Sequence, residues 1–187
     1  MPLAPATERE LVHSRNIEMR GYRRRDGLYD VEAHLVDTKT TSFLRGDDPQ
    51  PTLAGMPLHD MWVRITVDEA LRVTDVSAAT DASPYGLCRG AAASLQAIVG
   101  EQVRPGWSMM VKSRLAGARS CTHLMELLIP LATVAFQTLS QLRATRAERV
   151  DASGRPRRID SCYAYASNRS VVARRWPAFH IADGDER

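Results

Sequence analysis

Lysine is scarce in this 187-residue chain, and so are aromatic side chains. Lys39 and Lys112 are the only lysines, so almost all of the 25 basic side chains are arginines, and aromatic residues make up 6% of the chain. The arginines are scattered, whereas a nucleic-acid-binding surface concentrates them on one face beside aromatic side chains that stack on bases. With a net charge of +3, this composition argues against a nucleic-acid partner.

Long apolar runs are also missing. The longest, residues 124–136, contains Glu126 and Pro130 and is too short and too interrupted to span a membrane. No apolar run follows the charged residues near the start, so no secretory signal is visible. Three cysteines are an odd number for a disulfide framework, which favours reduced thiols. We therefore expect a cytoplasmic protein with no membrane partner.

Several catalytic sequence patterns are absent as well. The chain has no glycine-rich phosphate loop, no dinucleotide-binding fingerprint, no Gly-x-Ser-x-Gly nucleophile elbow and no His-Glu-x-x-His helix. We therefore expect no nucleotide cofactor.

The overall composition is that of an ordinary folded protein, with 44% hydrophobic and 25% charged residues. The length gives room for one domain with a sizeable core and hardly for two. The sequence predicts a leader segment at 1–15, a single domain at 16–176 and a C-terminal tail at 177–187.

Alternating apolar and polar residues predict strands in the first half of the chain. Asp26-Gly27 lies between two extended runs, which is typical of a β-hairpin. Residues 40–58 are rich in proline and glycine and predict a loop long enough to suggest a functional role. The predicted strands are 16–25, 28–39, 59–67 and 71–78.

Helical spacing replaces the alternation in the second half and predicts three helices, at 84–100, 107–116 and 121–148. Proline at position 130 should kink or divide the last of them. Two more short strands are predicted at 159–166 and 170–176. Strands followed by helices indicate the α+β class, a mainly antiparallel sheet of about four strands with three helices packed on one face.

Two apolar strand faces end in ionisable residues. The face of the second predicted strand continues into Asp37 and Lys39, and that of the third begins at His59. If consecutive strands are antiparallel, these residues meet at one end of the sheet, together with Asp75 of the fourth strand.

Cys121-Thr122-His123 lies at the predicted start of the long helix, where unpaired N–H groups and the helix dipole favour a thiolate. On a helical wheel, Cys121 and His123 flank the apolar stripe, so both can border a cavity between helix and sheet. Asp, His and Cys gathered at one end of a core suit a zinc site or a general acid–base site.

A purely structural interpretation stands beside each of these residues. Cysteine is often buried, so Cys88 and Cys162 are also explained as core residues. His59 is explained as a hydrogen-bonded core histidine, and Asp37 with Lys39 as an ion pair at a strand end. Cys-x-His alone is a short signal for a metal site.

Several motifs taken together resemble an uncharacterised bacterial family of unknown function over about Arg15 to Trp176. The resemblance implies that all three cysteines lie within family motifs, but it implies no activity. The motifs are Arg24 to Gly27, Asp37-Thr38-Lys39, His59-Asp60-Met61, Pro84 to Cys88, Gly106-Trp107, Cys121-Thr122-His123-Leu124 and Asp160-Ser161-Cys162.

The chain is also similar to NifU-type iron-sulfur scaffold proteins, which place a three-stranded sheet before helices and bind zinc or a cluster. The residue types that this resemblance matches are Cys88, Cys121, Cys162 and Asp75. The Gly-Cys segment and the serine-rich helix start of that family are absent here.

Our leading hypothesis is an enzyme of the hydrolase or lyase type that acts on a small, anionic or carbonyl-bearing molecule. His59 is the expected general acid or base, and Asp37 or Asp60 is expected to orient it. Cys121 and His123 are expected to act as a nucleophile and base or as metal ligands. The expected substrate-binding residues are Arg24, Lys39 and Trp107.

The first alternative is a module without catalytic activity, in which zinc is held by Cys88, Cys121, His123 and Cys162. The second alternative is an arginine-rich surface that binds an acidic partner protein. A homo-oligomer is compatible with all three.

Overall fold

In the computed structural model of the protein, the chain contains two compact units, Met1–Gln141 and Leu142–Arg187. The predicted domain at 16–176 extends over both. The predicted leader and tail lie partly outside the described residues. The structure describes residues 4, 6–45, 48–144 and 148–182.

The first unit is built on a four-stranded antiparallel sheet, as predicted for the α+β class. The order of the strands across this sheet is β1-β2-β5-β6, so they lie side by side in the order in which they occur along the chain. Strands β3 and β4 form a separate two-stranded sheet. The strands are β1 (His13–Arg23), β2 (Tyr29–Lys39), β3 (Phe43–Arg45), β4 (Asp48–Thr52), β5 (Pro57–Val67) and β6 (Val73–Ala82).

The turn between β1 and β2 is the predicted hairpin at Asp26-Gly27. Gly27 has φ +87°, a left-handed conformation that glycine adopts without strain. Asp26 Oδ1 accepts a hydrogen bond from the backbone N–H of Leu28, and Arg24 N–H donates to Leu28 O at 2.9 Å. The local sequence therefore sets the pairing of β1 with β2.

The small β3–β4 sheet lies within the region predicted as a loop. Its strands have three and five residues, and β4 contains two prolines, so neither shows an alternation long enough to predict a strand. Residues 46 and 47 of this region lie outside the described residues.

One face of the sheet forms the core, as the alternation in β2 and β5 predicted. The odd-numbered residues from 29 to 37 on β2 and from 59 to 67 on β5 are buried, because successive side chains of a strand point to opposite faces. The buried residues of this face are Tyr29, Val31, Ala33, Leu35 and Asp37 on β2, and His59, Met61, Val63, Ile65 and Val67 on β5.

The segment after β6 is a 3₁₀ helix over Gly86–Ile98, within the helix predicted at 84–100. Three residues per turn place Leu95 and Ile98 on the same side, and both are buried. Gln96 Nε2 donates a hydrogen bond to Val76 O at 3.0 Å, which attaches this helix to β6. Helix α1 (Trp107–Leu115) follows, as predicted.

The long predicted helix is divided into α2 (Thr122–Thr138) and α3 (Ser140–Ala144). The break is at Leu139, not at Pro130, which α2 contains. Pro130 is exposed, as is Glu126 one turn earlier, so water can satisfy the carbonyl group that proline leaves without a partner. Residues 145–147 of the predicted helix lie outside the described residues.

Helix α2 packs against β1, β2 and β5. Its apolar stripe is buried, and its N-terminus lies where β2 ends and β5 begins, because His123 contacts His59. The buried residues of α2 are Leu124, Met125, Leu127, Leu128, Leu131, Ala132 and Ala135.

The second unit contains α4 (Ser170–Arg175) and two single-turn 3₁₀ helices, Tyr163–Tyr165 and Pro177–Phe179. The strands predicted at 159–166 and 170–176 are wrong. Each segment is too short for the spacing of its apolar residues to distinguish a strand, with a period of two, from a helix, with a period of 3.6. Arg174 and Arg175 also favour a helix C-terminus. No helix of the described chain is both long enough and apolar enough to cross a membrane.

Candidate functional site

Asp37 and His59 meet at the end of the sheet, as their positions on β2 and β5 predicted. The two residues are paired in the β2–β5 register. Asp37 is 1% exposed and His59 is 7% exposed. The distance from His59 Nδ1 to Asp37 Oδ2 is 2.8 Å. Because an ionised carboxylate only accepts hydrogen bonds, Nδ1 donates, and the basic lone pair of the neutral ring lies on Nε2.

Arg15 of β1 holds Asp37 from the other side. Its Nε donates to Asp37 Oδ1 and its second terminal nitrogen donates to Oδ2, both at 2.7 Å. His13 Nε2 lies 3.4 Å from Oδ1. Sequence reasoning missed Arg15, although the hairpin at Asp26-Gly27 contained the signal. Counting back from that turn in an antiparallel register places Arg15 directly opposite Asp37.

These contacts keep Asp37 ionised although it is buried. Burial raises the pKa of the carboxyl group, but the hydrogen bonds from Arg15 and His59, the charge of Arg15 and the charge that His59 carries when protonated outweigh burial. The result is a pKa of Asp37 lowered from 3.8 to about 2. The site therefore contains a fixed negative charge beside a histidine.

His123 joins this pair from the first turn of α2. Its ring centroid lies 3.9 Å from that of His59, with 37° between the ring planes. Partial burial lowers the pKa of His123, and the charge that His59 carries when protonated and the charge of Arg15 lower it further. His123 is therefore neutral at neutral pH, with a ring nitrogen able to accept a proton or a metal ion.

Cys121 is at the edge of the same group. It is the residue immediately before α2, and its Sγ lies 3.9 Å from His123 Nδ1, within hydrogen-bonding reach for sulfur. Glu126, one turn further along α2, has Oε2 4.0 Å from a terminal nitrogen of Arg15. Cys121 and His123 are both half-buried, so the group reaches the surface on this side.

Asp37, His59 and His123 together form what we call the His–Asp cluster. One ligand atom from each of the three lies within 4.8 Å of the others, and this is the only such group that metal-ligating side chains form within the described chain. The arrangement can hold a metal ion or transfer a proton.

The predicted cysteine sets do not form within either unit. Cys88 lies half-buried in the 3₁₀ helix of the first unit, and neither Cys88 nor Cys121 belongs to a group of three ligands there. Cys162 is exposed in the second unit. The zinc set of Cys88, Cys121, His123 and Cys162 and the NifU-type set are therefore not gathered within one unit.

Asp60 is not the residue that orients His59. It follows His59 on β5 and so points to the opposite face of the sheet, where its Oδ1 lies 2.7 Å from His34 Nε2. The His34 ring stacks on Trp62, with centroids 3.6 Å apart. Asp60 and His34 form a second histidine–carboxylate pair, outside the cluster.

Asp75 does not belong to the cluster either. It is exposed and pairs with Thr66, near the opposite end of β5 from His59. The predicted position was wrong because β6 begins at Val73 and continues to Ala82. Its beginning, not its end, therefore carries Asp75.

The three predicted substrate-binding residues also have other partners. Arg24 is at the β1–β2 turn, the end of the sheet away from Asp37, with Asp26 at 2.6 Å. Lys39 Nζ lies 4.7 Å from the ring centroid of Phe43. Trp107 is 5% exposed, and its indole N–H donates to Leu128 O at 2.8 Å, which leaves it no polar group for a ligand.

A family model described as a protein of unknown function (DUF2889) matches residues 13–137. The matched span contains the four-stranded sheet and every side chain of the His–Asp cluster. No curated protein and no solved structure matches the chain. The resemblance to a family of unknown function is thus confirmed, whereas these comparisons give no support to the resemblance to NifU-type proteins.

Proposed function

The chain belongs to the DUF2889 family of proteins of unknown function, and from the geometry of its own site we propose that it is an enzyme of the hydrolase or lyase type that acts on a small molecule. The observation that carries the proposal is the 2.8 Å contact between His59 Nδ1 and an Asp37 carboxylate that Arg15 binds through both oxygens.

In this proposal His59 is the general base. Asp37 fixes the ring orientation and keeps the proton on Nδ1, so Nε2 can take a proton from water or from a carbon atom of the substrate. Removing a proton from water starts a hydrolysis, and removing it from carbon starts an elimination. The Asp37 charge then stabilises the imidazolium that forms.

His123 and Cys121 occupy the open side of the site. Once protonated, His59 can return that proton to the leaving group, while His123, a neutral imidazole in contact with His59, can accept a proton from a second group. Cys121, 3.9 Å from His123, supplies a thiol that can act as a nucleophile with His123 as its base. Because the deeper residues Asp37 and His59 are buried, access from this side suits water or a small molecule.

The proposal can be tested by measuring turnover of a panel of activated esters, lactones and β-hydroxy acids. We expect native turnover of at least one class and a loss of about a hundredfold in kcat for His59→Gln, because general base catalysis contributes that much or more. Cys121→Ser should lose ester turnover if the thiol is the nucleophile, whereas Cys88→Ser should retain it.

His34→Gln is the matched control, since His34 also contacts a carboxylate at 2.7 Å but lies on the other face of the sheet. It should leave kcat unchanged. The proposal is wrong if no compound of the panel is turned over faster by the native protein than by a correctly folded His59→Gln variant.

A further inference from the structure

We propose that Asp37, His59 and His123 bind one divalent transition-metal ion, such as Zn²⁺ or Co²⁺. The inference deepens the proposed function and rests on it for the reaction, because it names the cofactor of the same site. Metal binding itself can be measured without a substrate.

The ligand types and their spacing support the inference. Two imidazoles and a carboxylate are the combination that zinc, cobalt and iron(II) accept, whereas magnesium and calcium prefer oxygen ligands. In tetrahedral geometry, ligand atoms that each lie about 2.1 Å from one ion are about 3.4 Å apart. The three atoms here lie within 4.8 Å of one another, so shifts of under about 1 Å in each of two ligand atoms would close the site.

The burial of the ligands indicates which kind of metal site this is. Asp37 and His59 are buried, whereas His123 is half-buried and faces the open side. Three protein ligands with one position open to water are typical of catalytic zinc, while structural zinc is enclosed by four. The open position would hold a water molecule whose pKa the ion lowers towards 7.

Arg15 does not prevent Asp37 from acting as a ligand. Each Asp37 oxygen has two lone pairs, and Arg15 uses one on each. The second lone pair of Oδ2 accepts the Nδ1 proton of His59 at 2.8 Å. His59 Nδ1 and Asp37 Oδ2 are close enough to occupy neighbouring positions around one ion. The ion can therefore take the place of the proton on Nδ1. The His59 ring then carries its proton on Nε2 and stays neutral.

The role of base changes when the ion is bound. His59 would then carry its proton on Nε2, and the base would instead come from a water molecule whose pKa the bound ion would lower. Arg15 remains on Asp37 and holds it in place. His13, 3.4 Å from Oδ1 of Asp37, is the only other imidazole beside that carboxylate in the described chain.

The test is a Co²⁺ titration of the full chain after removal of metals with a chelator. Visible absorption and calorimetry should give one equivalent per chain, and the NMR spectrum of the Co²⁺ form should show shifted ring protons from two histidines. His59→Gln, His123→Gln and Asp37→Asn should each weaken Co²⁺ binding at least tenfold. His34→Gln is the control, because His34 and Asp60 form a histidine–carboxylate pair that has no third ligand within the described chain. This variant should bind Co²⁺ as tightly as the native chain does.

The inference is overturned if the native chain binds no Co²⁺, if fewer than two histidines shift, or if folded His123→Gln binds as tightly as the native chain. The NMR measurement uses the native protein and therefore stands even where a variant does not fold. Turnover that depends on His59 without Co²⁺ binding would remove this inference and keep the proposed function. Co²⁺ binding without His59-dependent turnover would keep the inferred metal site and remove the proposed function.

Discussion

At the scale of single residues, the site is organised around one buried carboxylate. Asp37 accepts hydrogen bonds from Arg15 and His59, and both partners come from neighbouring strands. A buried charge is tolerated only when it is paired and hydrogen-bonded. The contacts of Asp37 therefore have two effects: they stabilise its buried charge, and they orient the His59 ring for proton transfer.

Replacing Arg15 should expose this dependence. Arg15→Gln leaves the Asp37 carboxylate buried beside a neutral group, and breaking a fully buried pair costs about 3–5 kcal/mol. Because the Arg15 side chain is 35% exposed, solvent reduces the effect, and we expect a loss of about 2 kcal/mol in urea unfolding.

Arg20→Gln is the control for that measurement. Arg20 lies on the same strand and bonds Glu18, but both side chains are well exposed, so its replacement should change stability little. Equal losses of stability from the two substitutions would show that the Arg15–Asp37 pair stabilises the fold no more than an exposed ion pair does.

The lowered pKa of Asp37 predicts a loss of stability in acid. A carboxylate whose pKa is lower in the folded protein than in the unfolded chain stabilises the fold when the pH is above the pKa of the unfolded chain. For Asp37 that pKa is 3.8. That contribution, about 2 kcal/mol, disappears as the pH falls from 3.8 towards 2.

The measurement is the free energy of unfolding of the native chain and of Asp37→Asn across this pH range, with a chelator present. The gap between the two proteins should narrow as the pH falls, because other carboxylates contribute equally to both. Parallel curves would contradict the assignment of the lowered pKa to Asp37.

At the scale of elements, the position of α2 on the sheet depends on a close approach to β1. A Cβ atom on Gly21 would lie 1.8 Å from Thr138 Oγ1 and 2.9 Å from Thr138 Cβ, well inside van der Waals contact. Glycine at this position lets the C-terminal end of α2 approach the edge strand. The N-terminal end of the same helix carries His123 to His59.

Gly21→Ala should therefore destabilise the first unit. Overpacking of this kind costs about 1–3 kcal/mol, and thermal unfolding would measure it. Combining it with Thr138→Ala should recover part of the loss, because the nearest atom is removed. Gly90→Ala is the control, since a Cβ there meets nothing within 4 Å. A Gly21→Ala protein as stable as native would show that the helix and strand are not held this closely.

At the scale of the whole molecule, the candidate site belongs entirely to the unit Met1–Gln141. The family match over residues 13–137 begins at the first residue of β1 and ends one residue before the end of α2. The matched span therefore coincides with the sheet and the helix that carry the cluster. The second unit contributes none of its ligands.

The amino-acid sequence by itself determined the sheet and half of the site. The turn at Asp26-Gly27 and the alternation of β2 and β5 specify which strands pair and which side chains face the core, so Asp37 and His59 were predictable neighbours. The register of β1 with β2 follows from a short turn, whereas β2 and β5, which are joined through residues 40–56, are aligned because a period of two places the apolar side chains of both strands in the core.

Only the tertiary structure decided that His123 completes the cluster and that neither Cys88 nor Cys121 joins a group of three metal-ligating side chains among the described residues of the first unit. The placement of α2 on the sheet results from the packing of many apolar side chains distant in sequence, among them the approach of Thr138 to Gly21. No local period encodes such a placement, because it depends on how surfaces fit after each element has formed.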